Sequence, residues 1–387
     1  MGFRLVELGD VITNIATGPF GSNLKVSCFT PSGFPVVDGA NLKGYKLTDN
    51  ITKYVSEEKA ASLSRSIAHR GDVVATISGN VGQVSYIPHD SAYPAYLCSQ
   101  RQFKVTFDTS RVYVPYLVYY LHTREGQHQI LSFVNQTGVP ALAQPTRNFK
   151  RIVAPLPSLE EQIAIARIPE LLDRLIELNN QLNGYLAETC DALYSSYTAG
   201  EQAADWPMGT LKDLLEIRYG KDHKQLNDGD VPVYGSGGYM RSIERFLFNG
   251  ESVLIPRKGS LNNVMYVSEK FWTVDTMFYA VPIIPNAAKY AYQFIKRLDL
   301  ASMNSGSAVP SMTTKILNAL PVPIPPKESL YDFDGQLQPY YSKIRANTIE
   351  NEWLAALRDA LLPKLMSGEI DVSEVDLTRP NSHLCER

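Results

Sequence analysis

Two distant stretches of the chain resemble each other closely. Residues 135–161 read NQTGVPALAQPTRNFKRIVAPLPSLEE, and residues 305–329 read SGSAVPSMTTKILNALPVPIPPKES. In this comparison Pro140 pairs with Pro310 and Pro157 pairs with Pro325. Similarity at a spacing of nearly half the chain predicts an internal duplication, because repeated units share one pattern of elements.

Further pairs of segments keep the same order in the two halves. We predict a short amphipathic helix, then two strand-like runs around a loop that contains Gly79 or Gly259, and then a second helix. These pairs are LVELGDV (5–11) with LKDLLEI (211–217), GDVVATISGNVGQVSYI (71–87) with GESVLIPRKGSLNNVMYV (250–267), and YVPYLVYYL (113–121) with YAYQFIKRL (290–298).

Each half ends in the pattern of a long helix. Ser158 and Glu161 have the spacing of a capping box at a helix start, and Ser329 lies at the start of the second helix. Apolar residues then recur at alternating intervals of four and three, which is typical of a coiled-coil seam. The first series is Leu171, Leu175, Leu178, Leu182 and Tyr185; the second is Phe333, Leu337, Tyr340, Ile344, Leu354, Leu357 and Leu361.

The same rhythm puts Asn347 and Asn351 on the seam, where polar residues set register. The segment PKLMSGEI is expected to end the second helix at Pro363 and Gly368. A plain surface helix remains an alternative to the coiled coil, since most helices of soluble proteins owe their stability to packing of one face.

These patterns predict a mixed α/β (α+β) fold with two duplicated globular domains, joined and separated by two long antiparallel coiled-coil helices. Some forty helical residues reach about 60 Å, so such helices act as spacers. The expected boundaries are a first domain at 1–157, a first helix at 158–200, a second domain at 201–325, a second helix at 326–370 and a tail at 371–387.

Composition favours a cytoplasmic protein. The 387 residues are 44% hydrophobic and 20% charged, which is ordinary for a globular protein. We find no run of about 20 apolar residues that would span a membrane, and residues 1–10 do not look like a signal peptide. The four cysteines are far apart, so neither a disulfide framework nor a thiolate zinc site is indicated.

Charge is divided between the regions. Residues 1–157 carry a net charge of +5 and residues 201–325 carry +1, whereas residues 158–200 carry −5 and residues 326–387 carry −4. Mildly basic domains suit contact with phosphates, and acidic helices suit contact with protein. The overall charge of −3 also permits a duplicated protein-interaction scaffold without DNA binding.

Signatures of catalysis are missing. We find no phosphate-binding loop and no GxGxxG motif in a βαβ context, and the six histidines do not have metal-ligand spacing. The fragments Glu57-Glu58-Lys59 and Asp222-His223-Lys224 are weak candidates for a nuclease site. We therefore expect no catalytic residue and no metal or cofactor on this chain.

The motifs that carry a family resemblance cover about residues 5–370. They are PLPSLEEQ at the first helix start, RKGS followed by FWTVDT, and LLPKLMSGEI at the end of the second helix. In these the chain closely resembles the specificity subunit of type I restriction-modification systems. The second helix start, PPKESLYDFD, lacks the EQ pair of the first.

The resemblance implies a non-catalytic subunit that reads a split double-stranded DNA target with two target-recognition domains. It implies two methyltransferase subunits docked on the helices, to which restriction subunits are added. S-adenosylmethionine, ATP and Mg²⁺ would then belong to those partners.

Candidate contacts follow from residue type, since amides, hydroxyls and guanidinium groups read base edges in the major groove. For DNA we expect Thr76, Ser78, Asn80, Gln100 and Arg101 in the first domain, and Lys221, Ser236, Arg257 and Lys258 in the second. For partner subunits we expect the solvent-facing Glu177 and Glu188 on the first long helix.

Overall fold

The computed structural model describes residues 3–135, 138–303 and 311–372. Pro310, which the sequence pairs with Pro140, and the tail beyond residue 372 lie outside the described residues. The described residues form two compact units, one comprising those up to Glu177 and from Asn351 onward, and the other Leu178–Glu350. No helix among them is both long enough and apolar enough to cross a bilayer.

The first lobe, a name we give to the elements before residue 157, mixes short strands with short helices. Its elements are β1 (Leu5–Glu7), β2 (Ile12–Thr17), β3 (Phe34–Val37), β4 (Tyr54–Val55), α1 (Glu57–Ser62), β5 (Ile67–His69), β6 (Val73–Thr76), β7 (Val84–Tyr86), β8 (Ala95–Cys98), β9 (Gln102–Phe107), α2 (Val114–His122), α3 (Arg124–Leu131), β10 (Val134–Asn135), β11 (Ala141–Leu142), α4 (Pro145–Lys150) and β12 (Val153–Pro155).

A helix of 41 residues, α5 (Leu159–Ala199), follows the first lobe and precedes the second lobe. The second lobe contains β13 (Met208–Thr210), α6 (Leu211–Leu214), β14 (Leu215–Tyr219), β15 (Asp228–Gly235), β16 (Gly238–Ile243), β17 (Phe248–Pro256), β18 (Met265–Thr273), β19 (Met277–Pro282), α7 (Ala287–Ile295), α8 (Thr314–Asn318) and β20 (Pro321–Pro323). A second 41-residue helix, α9 (Lys327–Ser367), comes last.

The two lobes repeat one sheet topology. The order β2-β9-β6-β7 in the first lobe corresponds to β14-β19-β17-β18 in the second. β18 is continuous and joins a six-stranded sheet, whereas its counterpart in the first lobe is divided into β7 and β8. The intervening residues include Pro88 and Pro94, and proline has no amide hydrogen for a strand ladder. The first lobe therefore has two four-stranded sheets.

Equivalent hydrogen bonds establish the register of the duplication. Tyr116 Oη donates to Pro155 O at 2.9 Å in the first lobe, and Tyr290 Oη donates to Pro323 O at 2.9 Å in the second. Tyr116 therefore corresponds to Tyr290. The predicted pairing of Tyr113 with Tyr290 was wrong by three residues, because a run of similar aromatic and apolar residues does not define which turn of the helix faces β12.

The start of each lobe corrects a second prediction. Residues 5–11 do not form an amphipathic helix: β1 pairs with β12, and only Leu8–Asp10 adopts a short 3-10 turn. Leu8 N donates to Ile152 O at 2.8 Å, and Leu211 N donates to Leu320 O at 2.9 Å. Leu8 rather than Leu5 thus corresponds to Leu211, and α6 spans just four residues before β14 begins.

The two long helices run antiparallel within each unit. In the second unit Asn347 Nδ2 donates to Asn183 Oδ1 at 2.7 Å, and further along Tyr197 stacks on Phe333 at 4.3 Å between ring centroids. Asn347 is fully buried, as its position in the rhythm predicts. In the first unit the two helices are in contact through Arg358 of α9, which donates to Asp173 of α5.

The leucine series predicted as the seam is on the surface instead. Leu171, Leu175, Leu178, Leu182 and Tyr185 are 38–66% exposed. The helices meet through other faces of α5, which carry Asp173 and Asn183. A 4,3 rhythm identifies an apolar stripe but not the surface that covers it, so this assignment was wrong.

Of the two residues predicted to end α9, Gly368 is confirmed and Pro363 is not. The helix continues through Pro363 to Ser367, because Leu362 and Leu365 on either side are buried in the first unit's core. Gly368 then adopts φ +74°, and Glu369 N donates to Lys364 O at 2.9 Å. This is the left-handed helix ending that glycine favours.

Candidate nucleic-acid interface

One loop recurs at the end of the central strand of both lobes. In the first lobe Leu142 N donates to Ile77 O at 2.8 Å, and in the second Met312 N donates to Arg257 O at 2.9 Å. The glycines that follow two residues later, Gly79 and Gly259, both have positive φ, at +92° and +83°. Ile77 therefore corresponds to Arg257, and the same backbone presents different side chains.

The five residues predicted in the first lobe line one cleft of about 600 Å³. The cleft lies between the Gly79 loop, the segment 99–102 that precedes β9, and the 38–40 segment after β3. Two of the five hold the cleft together. Thr76 is buried, with Oγ1 3.1 Å from Gln83 Oε1, and Gln100 Nε2 donates to Leu24 O at 2.6 Å.

The other three side chains are more accessible. Asn80 and Arg101 are exposed, and Ser78 is partly exposed. Arg101 is positioned by its own backbone, whose carbonyl accepts from Ile77 N at 2.6 Å. An amide, a guanidinium and a hydroxyl thus face solvent from the same cleft.

Sequence reasoning missed an ion pair in this cleft. Lys53 Nζ lies 2.6 Å from Asp38 Oδ2. Burial opposes ionisation of Asp38, but Lys53 and the amide of Ala40 outweigh it and lower the pKa of the carboxyl. Asp38 also forms a capping box with Asn41.

In the second lobe Arg257 is held at the loop by three contacts. Its amide donates to Thr276 O at 2.8 Å, Nη1 donates to Asp275 O at 3.2 Å, and the guanidinium carbon lies 5.6 Å from the centre of the Tyr219 ring. Among the residues that the structure describes, Arg257 forms no ion pair with a carboxylate. The guanidinium is partly exposed and keeps donors for a ligand.

The remaining candidates of the second lobe surround this loop. Ser236 faces Gly259 so closely that a Cβ built on the glycine would lie 2.6 Å from Ser236 Oγ. Lys221 is placed by its backbone, since its amide donates to Thr273 O at 2.9 Å and Trp272 Nε1 donates to its carbonyl at 2.8 Å. Lys221 and Lys258 are exposed.

The weak nuclease candidates have local structural roles. Asp222 Oδ1 accepts from the amides of His223 and Lys224 at 2.8 and 3.2 Å. Glu57 lies in the first turn of α1, and Lys59 N donates to the N-cap Ser56 Oγ at 3.2 Å. In the described ranges, no three His, Cys, Asp or Glu side chains are grouped as metal ligands.

The long helices carry a different kind of surface. Glu177 does not face solvent freely, because Lys46 Nζ lies 2.9 Å from Oε1 and Arg174 Nη1 lies 3.3 Å from Oε2. Glu188 is exposed. Tyr185 and Trp353, which come the same number of residues after the start of α5 and α9, are 66% and 73% exposed.

Comparison with protein families gives one consistent match. The model of the type I restriction modification DNA specificity domain matches the chain twice, at residues 2–187 and 203–338. The first match ends within α5 and the second within α9, so each repeat includes part of a long helix.

Known proteins resemble the chain over nearly its whole length or over part of it. The MjaIX specificity subunit of a type I restriction enzyme from Methanocaldococcus jannaschii is 23% identical, covering 96% of this chain and 94% of that protein. The HindI specificity subunit from Haemophilus influenzae is 24% identical over 43% of this chain and 42% of that protein. The crystal structure of a type I S subunit from M. genitalium has the same fold, with a TM-score of 0.56 and 17% identity over 95% of this chain and 96% of that one.

Proposed function

The chain belongs to the type I restriction modification DNA specificity family, as a non-catalytic specificity subunit, and from this membership we propose how its two lobes divide the reading of DNA. Each lobe reads one half of a split double-stranded target. Residues 1–157 and 201–325 are the two target-recognition domains, the helices at 158–200 and 326–370 are spacers, and 371–387 is a tail.

The observation that carries this proposal is the duplicated loop. Gly79 and Gly259 follow equivalent strands and both have positive φ, yet polar side chains of different type surround them. A common scaffold with different polar groups suits two readers of different half-sites, because the major groove shows each base pair as a distinct pattern of donors and acceptors.

The proposed DNA contacts fall into two groups. Thr76 and Gln100 orient the first cleft from within, as their buried or internal hydrogen bonds support. The side chains that meet bases or phosphates are Ser78, Asn80 and Arg101 in the first lobe and Lys221, Ser236, Arg257 and Lys258 in the second.

Methylation patterns test the split target directly. We would compare adenine and cytosine methylation across the genomes of cells with and without this chain, in the presence of its methyltransferase partner. We expect a motif of two short specific segments separated by unspecified bases to depend on the chain. A continuous motif, or the absence of any motif that depends on the chain, would contradict the proposal.

A salt series on the purified complex tests DNA contact independently of methylation. Pooled duplexes should bind with an affinity that falls as salt rises, because the lysine and arginine contacts displace counterions from the phosphates. Binding that is insensitive to salt would exclude these basic side chains as phosphate contacts.

The same proposal includes assembly with other subunits. Two methyltransferase subunits dock on the long helices and restriction subunits join them, in the cytoplasm where the DNA is; S-adenosylmethionine, ATP and Mg²⁺ belong to these partners. The exposed apolar stripe supports a protein partner, since large apolar groups at a surface are characteristic of interfaces. The repetition of an exposed aromatic as Tyr185 and Trp353 supports two copies.

Charge reversal on α5 examines the helix surface. Glu188→Lys should weaken assembly without unfolding either lobe, because Glu188 is exposed and acidic residues lie along the helix. Glu177→Lys also breaks the ion pair with Lys46 and therefore reports on folding as well. Size-exclusion chromatography of mixed subunits would contradict this role if the Glu188→Lys complex formed as readily as the native one.

A further inference from the structure

The two equivalent loops carry side chains of different chemistry at the residue two positions before the glycine. Arg257 occupies it in the second lobe, and Ile77 occupies it in the first. Ile77 packs against the apolar core of its lobe, so the first loop offers no cation there. The following residue also changes, from Ser78 to Lys258. The first lobe, with Ile77, therefore serves as an internal comparison for the second lobe, with Arg257.

The guanidinium of Arg257 is oriented in a way that suits a planar ligand. The cation–π contact with Tyr219 and the bond from Nη1 to Asp275 O restrict the guanidinium, while Nε and Nη2 have no partner among the described residues. A guanidinium with a fixed plane matches two acceptors side by side, whereas a mobile lysine acts as a point charge. Guanine presents such a pair, O6 and N7, in the major groove.

We propose that Arg257 reads a guanine through O6 and N7, so that the half-site under the second lobe contains a G·C pair that the first lobe does not require at the corresponding place. The inference rests on the proposed function, because it assumes that both loops enter the major groove. Lys258 and Lys221, which are exposed and have no such restraints, contact phosphates.

One acidic residue beside Arg257 favours a base over a phosphate as the ligand of this side chain. Asp275, whose carbonyl holds the guanidinium, is itself exposed and acidic. Asp275 lies in the turn between β18 and β19, and a carboxylate there disfavours a phosphate at Arg257. A guanine edge carries no net charge and does not meet this repulsion.

The experiment uses the chain assembled with its methyltransferase partner and a library of duplexes with a randomised segment. Bound duplexes are sequenced for the native complex, for Arg257→Ala and for the matched control Lys258→Ala. The native complex should require guanine at one position, and replacing it should weaken binding about 5- to 150-fold. Arg257→Ala should accept other bases there and leave the first half-site unchanged.

The control distinguishes a base contact from a phosphate contact. Lys258→Ala should weaken all sequences to a similar degree and reduce the salt slope by about one, with the guanine still required. If Arg257→Ala instead weakens all sequences to a similar degree, or keeps the preference for guanine, the assignment of Arg257 is wrong.

A modified base gives an answer that does not depend on any variant. Replacing the selected guanine by 7-deazaguanine removes N7 from the major groove, whereas inosine leaves N7 and O6 in place. The native complex should bind the 7-deaza duplex less tightly than the inosine duplex, and equal binding would overturn the proposal. Failure of the native complex to select any split motif would refute the proposed function itself, which is a separate outcome.

Discussion

Replacement of Gly259 by alanine tests whether the shape of the loop determines recognition. At φ +83° an L-residue costs about 1–2 kcal/mol relative to glycine. The new Cβ would also lie 2.6 Å from Ser236 Oγ and 3.4 Å from Ser236 Cβ. Forcing that serine away from its preferred rotamer costs roughly 0.5–1.5 kcal/mol more.

Gly79→Ala is the matched control within the same chain. Gly79 has a similar φ of +92°, but the nearest atom to its Cβ position is Arg101 Nη1 at 3.9 Å, which is ordinary contact. Gly79→Ala should therefore carry only the backbone cost. We assume that each strained loop must regain its native shape to bind DNA. The additional rotamer cost then makes the loss of DNA affinity about 2- to 12-fold larger for Gly259→Ala than for Gly79→Ala.

A double-mutant cycle isolates the collision. Ser236→Ala removes Oγ, so Gly259→Ala should cost about 0.5–1.5 kcal/mol less in the Ser236→Ala background than in the native one. Equilibrium binding to a duplex with the target sequence is measured for complexes of the native chain, the two single variants and the double variant. Equal losses for Gly79→Ala and Gly259→Ala, together with a coupling energy of zero, would refute the reasoning.

Two other predictions concern the long helices. Lys289 is fully buried, with Nζ 2.7 Å from both Glu251 and Asp334, so Lys289→Met should destabilise the second unit by about 3–5 kcal/mol at pH 7. Burial raises the pKa of Asp334 even with Lys289 present; the loss should therefore shrink as pH falls and the Asp334 carboxylate becomes protonated. Hydrogen exchange of α7, with α2 as internal control, measures it, and a loss independent of pH would contradict this explanation. Tyr185→Ser and Trp353→Ser should each release one methyltransferase subunit and together release both, as counted by native mass spectrometry; retention of both copies by the double variant would exclude this surface.

Much of the architecture was predictable from residue patterns alone. Repeats such as the two proline-rich segments survive in the order of residues, and a run of about forty residues with helical periodicity can hardly be anything except a long helix. The capping box at Ser158 is confirmed by the bond from Glu161 N to Ser158 Oγ at 3.3 Å. The candidate cleft was also partly predictable, because the sequence places the polar residues Thr76 and Ser78 at the end of a strand, beside the loop glycine Gly79.

The residue patterns did not show which faces of the helices and loops contact each other. The leucine stripe of α5 and the buried Asn347 are both periodic, yet the stripe is exposed and the asparagine is enclosed. The pairing of Lys53 with Asp38 and the cation–π contact of Arg257 with Tyr219 join residues of different segments, 15 and 38 positions apart. The sequence by itself thus determined the duplication, the long helices and the family. Tertiary structure alone decided the register of the repeats, the covered faces of the helices and the orientation of the loop side chains, because these depend on packing between segments that local periodicity does not encode.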